Sequence, residues 1–497
     1  MTVERLVRLL ESARDIDEWI AVESRVRRVA RATGPRPAHE RSESVSLHAV
    51  VLRDSERGRG AATLWLDGEG DDDDHARRLV TRAAERASMA LGPAWALPAP
   101  AAPARVTVAD RDIVADQEGV LDRAMAELRK ASRPGAAVGS AHIEVARTWH
   151  RAETSRGFIS QYEATAATYD LAVGGRALVE RVRGRARTGA QMALSRRVAD
   201  AARRAEKRAA ARPLEPGRYD LLLRQAAIAH PRAGLDLPSS AADFGWFAPM
   251  VAHASAEWVR LGISRYQPGQ PIFAAVADSA SAAAQLGVGS LDGAGSGRVA
   301  RGGPGGSGAT TRARAARAHS SGGAAGAGRV GGRPAGEGEG VDAFTLESDG
   351  TIDFAPMSAP FGDLGEPVRR FDLVRDGVAA GLALDHREAA LARMAPNGGV
   401  RNLVLAPGAT AAATLGQPGQ RHLLDVAELD WIDADPRSGV LTAAIGLAHV
   451  RGAPVTGGLV VGNAFDLLGR ARLSSEMAML SWFRGPIAIR IDGVDVV

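Results

Sequence analysis

Between Ala141 and Arg185 the chain reads HIEVARTWHRAET, FISQYEATAATYDLAVGG and RALVERVRG, with short Gly/Arg punctuation between the runs. Apolar and polar residues change places at nearly every step, a period that a strand can bury on one face and a helix cannot. The stretch predicts a twisted antiparallel meander. Two shorter alternating runs, Ser46 to Leu52 and Ala61 to Leu66, add strands joined by a charged turn. Helical periodicity surrounds them. Val3, Leu6, Val7, Leu10 and Ala13 share one stripe, and Leu79, Val80, Ala83, Ala87 and Leu91 share another behind Asp71–Asp74. Those acids suit a helix N-terminus. A third helical pattern covers Glu118 to Lys130. A fourth, Gln191 to about Ala210, buries Met192, Leu194, Val198, Ala202 and Ala205 and turns its arginines to a solvated face.

At 497 residues the chain is too long for one core. The expected class is α+β. Residues 1–212 should form an N-terminal domain with an antiparallel sheet and flanking helices, and residues 213–497 a β-rich C-terminal domain. Pro98 to Pro103 reads as a connection, and Pro213 and Pro216 follow the fourth helix. Residues 293–340 are rich in Gly, Ala, Ser and Arg without apolar periodicity, so the reading is a disordered insertion that buries too little to offset its ordering entropy.

Composition excludes several chemistries. There is no cysteine, which removes disulfides, thiolate catalysis and every Cys-ligated zinc site. The 62 cationic residues nearly balance 58 acidic ones, and lysine occurs only at Lys130 and Lys207. An arginine bias of this kind follows from a GC-rich coding sequence, whereas a nucleic-acid footprint needs clustered charge. No run approaches the roughly 18 uncharged apolar residues that cross a bilayer. MTVERLVRLLESARD lacks the apolar core of a signal peptide, so a cytoplasmic address is expected.

From Ser358 to Gly408 the text is an irregular Gly/Pro loop, a strand (Val368 to Val374), an Arg375-Asp376-Gly377 turn, a returning strand, an Ala-rich helical patch and a final strand (Asn402 to Leu405). Asp-Gly between alternating runs is a strong hairpin signal. This order resembles the C-terminal domain of the TldD/TldE (PmbA) peptidase family. Its loop, hairpin and closing strand match at Pro360, Phe361, Asp363, Gly365, Pro367, Arg369, Arg370, Gly377, Val378, Asn402, Leu403, Leu405, Pro407 and Gly408. Further segments resemble the family in the same order: Gly217 to Leu223, Ser255 to Ser264, Gly462-Asn463-Ala464-Phe465-Asp466, and Pro486 to Gly493. The family pattern becomes continuous when 293–340 is removed, so that segment is an insertion within the second domain. Leu364 stands where the family loop carries an acidic residue.

The resemblance implies a zinc peptidase in which a helical His-Glu-x-x-x-His motif and a later cysteine hold the ion. The motif should follow Leu223. There, His230 is followed by Pro231 and His253 stands alone. The only His-Glu pair, His39-Glu40, lies in what reads as a Pro-rich loop. His142 and His150 are separated by ~26 Å along a regular strand, and His386, His422 and His449 are scattered. Gly326-x-Gly328-x-x-Gly331 matches a dinucleotide fingerprint only formally, inside the low-complexity segment. No catalytic or metal-ligating residue is therefore assigned to this chain. The departure matches the TldE side of the family. The resemblance implies a TldD-like partner subunit that carries the zinc, and an unstructured peptide as substrate. The alternative is a stand-alone binding or scaffold protein that retains the fold without proteolysis. The family-motif positions carried forward are Phe361, Asp363, Gly365, Gly377, Asn402, Pro407, Gly408, Gly462 and Asn463. Asn402 and Asn463 are peptide contacts or simply residues that suit tight turns.

Overall fold

A computed structural model describes residues 2–56, 58–67, 72–89, 92, 95–97, 99–174, 178–230, 237–267, 269–273, 341–418 and 421–497. The 293–340 segment lies outside the described residues. The described residues, all within 2–273 and 341–497, belong to one compact unit.

Six long strands build the first sheet: β1 (Glu18–Thr33), β2 (Ala38–Ser55), β3 (Gly58–Asp67), β4 (Val138–Thr154), β5 (Ile159–Gly174) and β6 (Val179–Ala186). Their order is β3-β2-β1-β4-β5-β6, antiparallel throughout. The meander predicted between Ala141 and Arg185 is β4 to β6. The central strand β1 has no counterpart in the sequence reading. Its outer half carries Arg25, Arg27, Arg28 and Arg31, which mask the alternation although Val29 and Ala30 among them are buried. His39-Glu40 lies in β2 rather than in a loop, with His39 opposite Arg31 and its Nε2 3.1 Å from Glu118.

Odd-numbered residues of β1 point to one face. There Trp19, Ala21, Leu47, Ala49 and Val51 pack on Val3, Leu6, Leu10, Val80 and Ala83 of the helices Val3–Ser12 and Asp73–Met89. Further along, Val29, Ile143, Val145 and Leu171 pack on the helices Gln117–Ala131 and Leu194–Ala209. The predicted stripe of the last helix is buried as expected. Its arginines are not all solvated. Arg204 and Arg208 are about one quarter exposed and reach Glu428.

The other face of the sheet receives the C-terminal half. Ile20, Val22, Leu52, Ala152 and Phe158 form a core with Phe361. Glu18 is buried beneath it, paired to Arg59 and Arg156 and accepting from the backbone of Leu97 at 3.0 Å. Arg187, at the end of β6, donates to the carbonyls of Thr165, Ala355, Pro356 and Ser358. Burial, and then Arg185, lowers its pKa to about 10. One guanidinium thus ties the two halves through main-chain acceptors.

The C-terminal half contains β7 (Arg212–Pro213), β8 (Gly217–Arg224), β9 (Leu346–Asp349), β10 (Arg370–Arg375), β11 (Val378–Ala379), β12 (Asn402–Leu405), β13 (Leu423–Ala434), β14 (Val440–Val450), β15 (Ala453–Thr456), β16 (Leu459–Asn463), β17 (Arg472–Leu473), β18 (Met477–Leu480), β19 (Phe483–Pro486) and β20 (Ala488–Val496). A six-stranded sheet has the order β11-β10-β9-β12-β19-β18. In the eight-stranded sheet, β13-β8-β20-β16-β14 closes on itself because β13 also pairs with β14. Closure of this kind removes the exposed edges of those strands. The Asp-Gly hairpin forms as read: Arg375 opposes Val378, with Asp376 and Gly377 at φ 50° and 76°. Two positive φ angles define the turn that suits a twisted hairpin. One core cluster runs from Leu214 to Val496 around Trp246, Phe247, Trp482 and Phe483.

Candidate functional site

The segment after β8, where the resemblance places the family's metal-binding helix, folds into short pieces. These are helix Gln225–Ile228, the 3-10 turns Ala241–Asp243 and Gly245–Phe247, and the helices Ala248–His253 and Ala256–Arg260. His253 is fully buried. Its Nδ1 accepts from Arg265 N at 3.0 Å, and its Nε2 lies 3.0 Å from the carbonyl of Arg437. Trp258, Tyr266 and Phe465 surround the ring. Burial is the largest influence holding its pKa below the usual imidazole value. An imidazole with both nitrogens engaged has no lone pair for a metal. Among the described residues no three His, Asp or Glu side chains converge on a common ligand position.

These pieces wall a cleft of about 370 Å³ lined by Ser239, Ser240, Phe244, Trp258, Met357 and Glu388. A second cleft of about 310 Å³ lies against the same Glu388 and includes Glu257, Arg260, Asp385 and Arg387. Burial, and then the neighbouring Asp385, raises the Glu388 carboxyl to about 7. Glu388 sits on the helix His386–Ala392, capped by Asp385, whose carboxylate accepts from Glu388 N at 2.7 Å. His386, one turn-step away, is driven to about 4, chiefly by burial. The serines are not nucleophiles here. Ser239 and Ser240 donate to Asp243, and the Ser255 hydroxyl caps Trp258 N. What the cleft offers is aromatic surface and one carboxyl that changes charge near neutrality, able to meet an amide N–H or exchange a proton. Sequence reasoning passed over Glu388, because its helix reads only as an Ala-rich patch. The Asp385-x-x-Glu388 spacing at a helix start was the available signal.

The carried-forward positions divide into two groups. Phe361, Asp363 and Gly365 come together in one loop on the first sheet. Phe361 meets Tyr162 and Phe158 edge to face, with ring centroids 4.9 and 5.6 Å away. Gly365 has φ 80°, and a Cβ there would lie 2.9 Å from the Phe158 ring. Asp363 is exposed and opposes the burial that depresses His48 and His150. Two residues after Leu364, the buried Glu366 carboxylate folds back to accept from Leu364 N at 2.9 Å. The remaining positions are dispersed. Asn402 is fully buried, accepting from Met357 N and donating to Asp349 O and Ser358 Oγ. Asn463 caps the helix Ala464–Leu468 and donates to Ser438 O. Gly377 serves the β10–β11 turn. Gly408 admits Leu473 O and Asp342, each within 2.4 Å of where a Cβ would stand, and Gly462 admits Leu467. Pro407 is exposed at the end of β12.

Residues 331–497 match the family model of the PmbA/TldA metallopeptidase C-terminal domain. The C-terminal third of the chain is a domain of the PmbA/TldA metallopeptidase type. The TldD/TldE likeness also holds for the whole fold. The crystal structure of TldE from Thermococcus kodakarensis superposes with a TM-score of 0.67, covering 99% of each chain at 15% identity. A Thermotoga maritima protein named as a modulator of DNA gyrase gives 0.68 at 13% identity, again over 99% of each chain. A Bacteroides thetaiotaomicron protein of the same description gives 0.66 at 11% identity, covering 99% of this chain and 96% of that one. No curated protein matches the sequence. At these identities the structural likeness speaks for the fold. No helix among the described residues is long and apolar enough to cross a membrane.

Proposed function

We propose that this chain is the non-catalytic, TldE-like subunit of a two-chain cytoplasmic peptidase, pairing with a zinc-bearing TldD-like subunit that acts on unstructured peptides. The wiring of His253 carries this reading. It is one of two histidines, with His230, in the segment expected to hold the metal helix, and both its ring nitrogens serve the fold. A cysteine ligand is absent from the whole sequence. The donor set therefore does not fit zinc, and no hydrolytic step is drawn through this chain. Its contribution is a wall, the Trp258–Glu388 cleft, against which a peptide lies while the partner supplies ion and base.

The test is co-expression with a TldD-like protein from the same genome, followed by size-exclusion chromatography, zinc analysis and a peptide-cleavage assay. The expected result is a stoichiometric complex in which zinc and cleavage depend on the partner. Failure of the chains to associate would favour a stand-alone binding protein. Stoichiometric zinc and cleavage by this chain alone would overturn both readings.

A further inference from the structure

A further cleft, of about 670 Å³, lies elsewhere, beside β6. Its wall includes every residue from Leu178 to Arg185, whichever way each side chain points. That is how a cleft meets the edge of a strand rather than its face. β6 is the last strand of its sheet, so one side of its backbone has no strand neighbour. Arginines stand on both sides of this edge. Arg181 and Arg183 project on the face shared with Asp170, while Arg197, Arg204 and Arg208 come from the helix packed on the opposite face. Glu180, Glu428 and Asp430 are the acidic lining residues. They are engaged by Arg204 and Arg208, and the Arg197 guanidinium lies over the Tyr169 ring, 5.8 Å from its centroid. The far wall ends in the turn Ser481-Trp482. Ser481 has φ 54°, and Ser481 Oγ and Trp482 Nε1 are buried without a hydrogen-bond partner. Trp482 is fully buried.

We infer that this cleft binds an extended acidic polypeptide segment, added as a further strand along β6. The assignment is independent of the subunit pairing proposed above. Edge addition uses main-chain N–H and C=O groups, and side chains of an added strand point alternately to the two faces. Arg181 and Arg183 are paired to Asp170, and Arg204 and Arg208 to the lining carboxylates. Six arginines against three lining carboxylates nevertheless leave the cleft net cationic, with arginine on both faces for acidic residues at either parity. The site therefore selects acidic runs rather than a strict alternation. The eight residues of β6 offer about 26 Å of edge. A phosphate backbone lacks the main-chain N–H and C=O groups that a strand edge pairs with, and the one tryptophan of the wall is buried, which argues against a base-stacking groove.

The test uses the full chain and a fluorescein-labelled octapeptide of four Glu-Thr repeats, read by fluorescence anisotropy. Binding should weaken as NaCl rises from low to high ionic strength. A Lys-Thr repeat should bind at least tenfold more weakly. The double variant Arg183→Glu/Arg197→Glu should lose at least tenfold while its urea midpoint stays unchanged. Methylating alternate backbone nitrogens of the peptide should also cost at least tenfold, a loss that charge attraction alone does not explain. The inference fails if the acidic peptide does not bind, or if it binds the folded variant or the N-methylated peptide binds the wild type equally well. It fails as well if oligothymidylate binds more tightly than the peptide and shares the arginine dependence.

Discussion

His253 and Trp482 are both fully buried rings bearing nitrogen, and the chain surrounds them in opposite ways. Around His253 each ring nitrogen has a main-chain partner. Around Trp482 and Ser481, at the wall of the arginine cleft, the indole N–H and the hydroxyl have none. The Asp220–Arg490 pair belongs with His253. Asp220 accepts from Arg490 and from Gly493 N, and Arg490 also donates to Leu415 O, Gln417 O and Asp492. An unpaired buried donor costs roughly 1–3 kcal/mol. Ser481 and Trp482 share that state with Tyr266 Oη and His386 Nδ1 among others, and what distinguishes them is their place at the wall of the arginine cleft.

The largest effect should come from opening a closed centre. Arg490→Ala leaves the buried Asp220 with only the more distant Arg421, 3.7 Å away, and urea unfolding should show a loss of about 3 kcal/mol. A loss below 1 kcal/mol would mean that the pair is not sealed. His253→Phe keeps the aromatic packing but strands Arg265 N and Arg437 O. The expected loss is about 2–3 kcal/mol, with the overall fold retained by circular dichroism.

The helix His386–Ala392 sharpens the comparison through pH. The folded pKa of His386, about 4, lies below its unfolded value near 6.5. Its stabilisation is therefore full above about 6.5 and lost as pH falls toward 4. Glu388, at about 7, has the opposite sign. Its contribution is present below its unfolded value and lost as pH rises through 7. In the wild type the two slopes offset each other between about 4.5 and 6.5. Glu388→Gln should reveal stability that falls on acidification, and His386→Phe stability that falls as pH rises to 7, each by on the order of 2 kcal/mol. Urea midpoints measured across this range check both signs. The smallest change concerns the open wall. Ser481→Gly relieves a left-handed backbone and removes a hydroxyl without a partner. It should stabilise by about 0.5–1 kcal/mol, whereas destabilisation would mean that the hydroxyl is engaged after all.

Much of the scaffold was readable beforehand, for local reasons. The β4–β6 meander follows from period-two alternation, the β10–β11 hairpin from Asp376-Gly377, and β12 from Asn402 to Leu405 was placed at its observed ends. Strand β1 was missed because arginines crowd its outer half and hide the alternation, although Val29 there is buried in the core. Arg204 and Arg208 read as solvent-facing on a helical wheel, but Glu428 and Asp430, with which they pair, sit more than two hundred residues away. Of the family-loop residues, sequence brought Phe361, Asp363 and Gly365 together by adjacency. It could not show that His48, His150 and Tyr162 would join them from three other strands.

What residue identity alone decided is which donors exist. A chain without cysteine has no thiolate to offer in any fold, and the pattern of apolar residues sets where strands and helices begin. Folding decided which of the remaining groups are titratable near neutrality, which nitrogens are occupied, and where arginine gathers around an open strand edge. Those properties depend on burial and on fields summed over side chains distant in the chain, and neither quantity exists until the sheets and helices have packed.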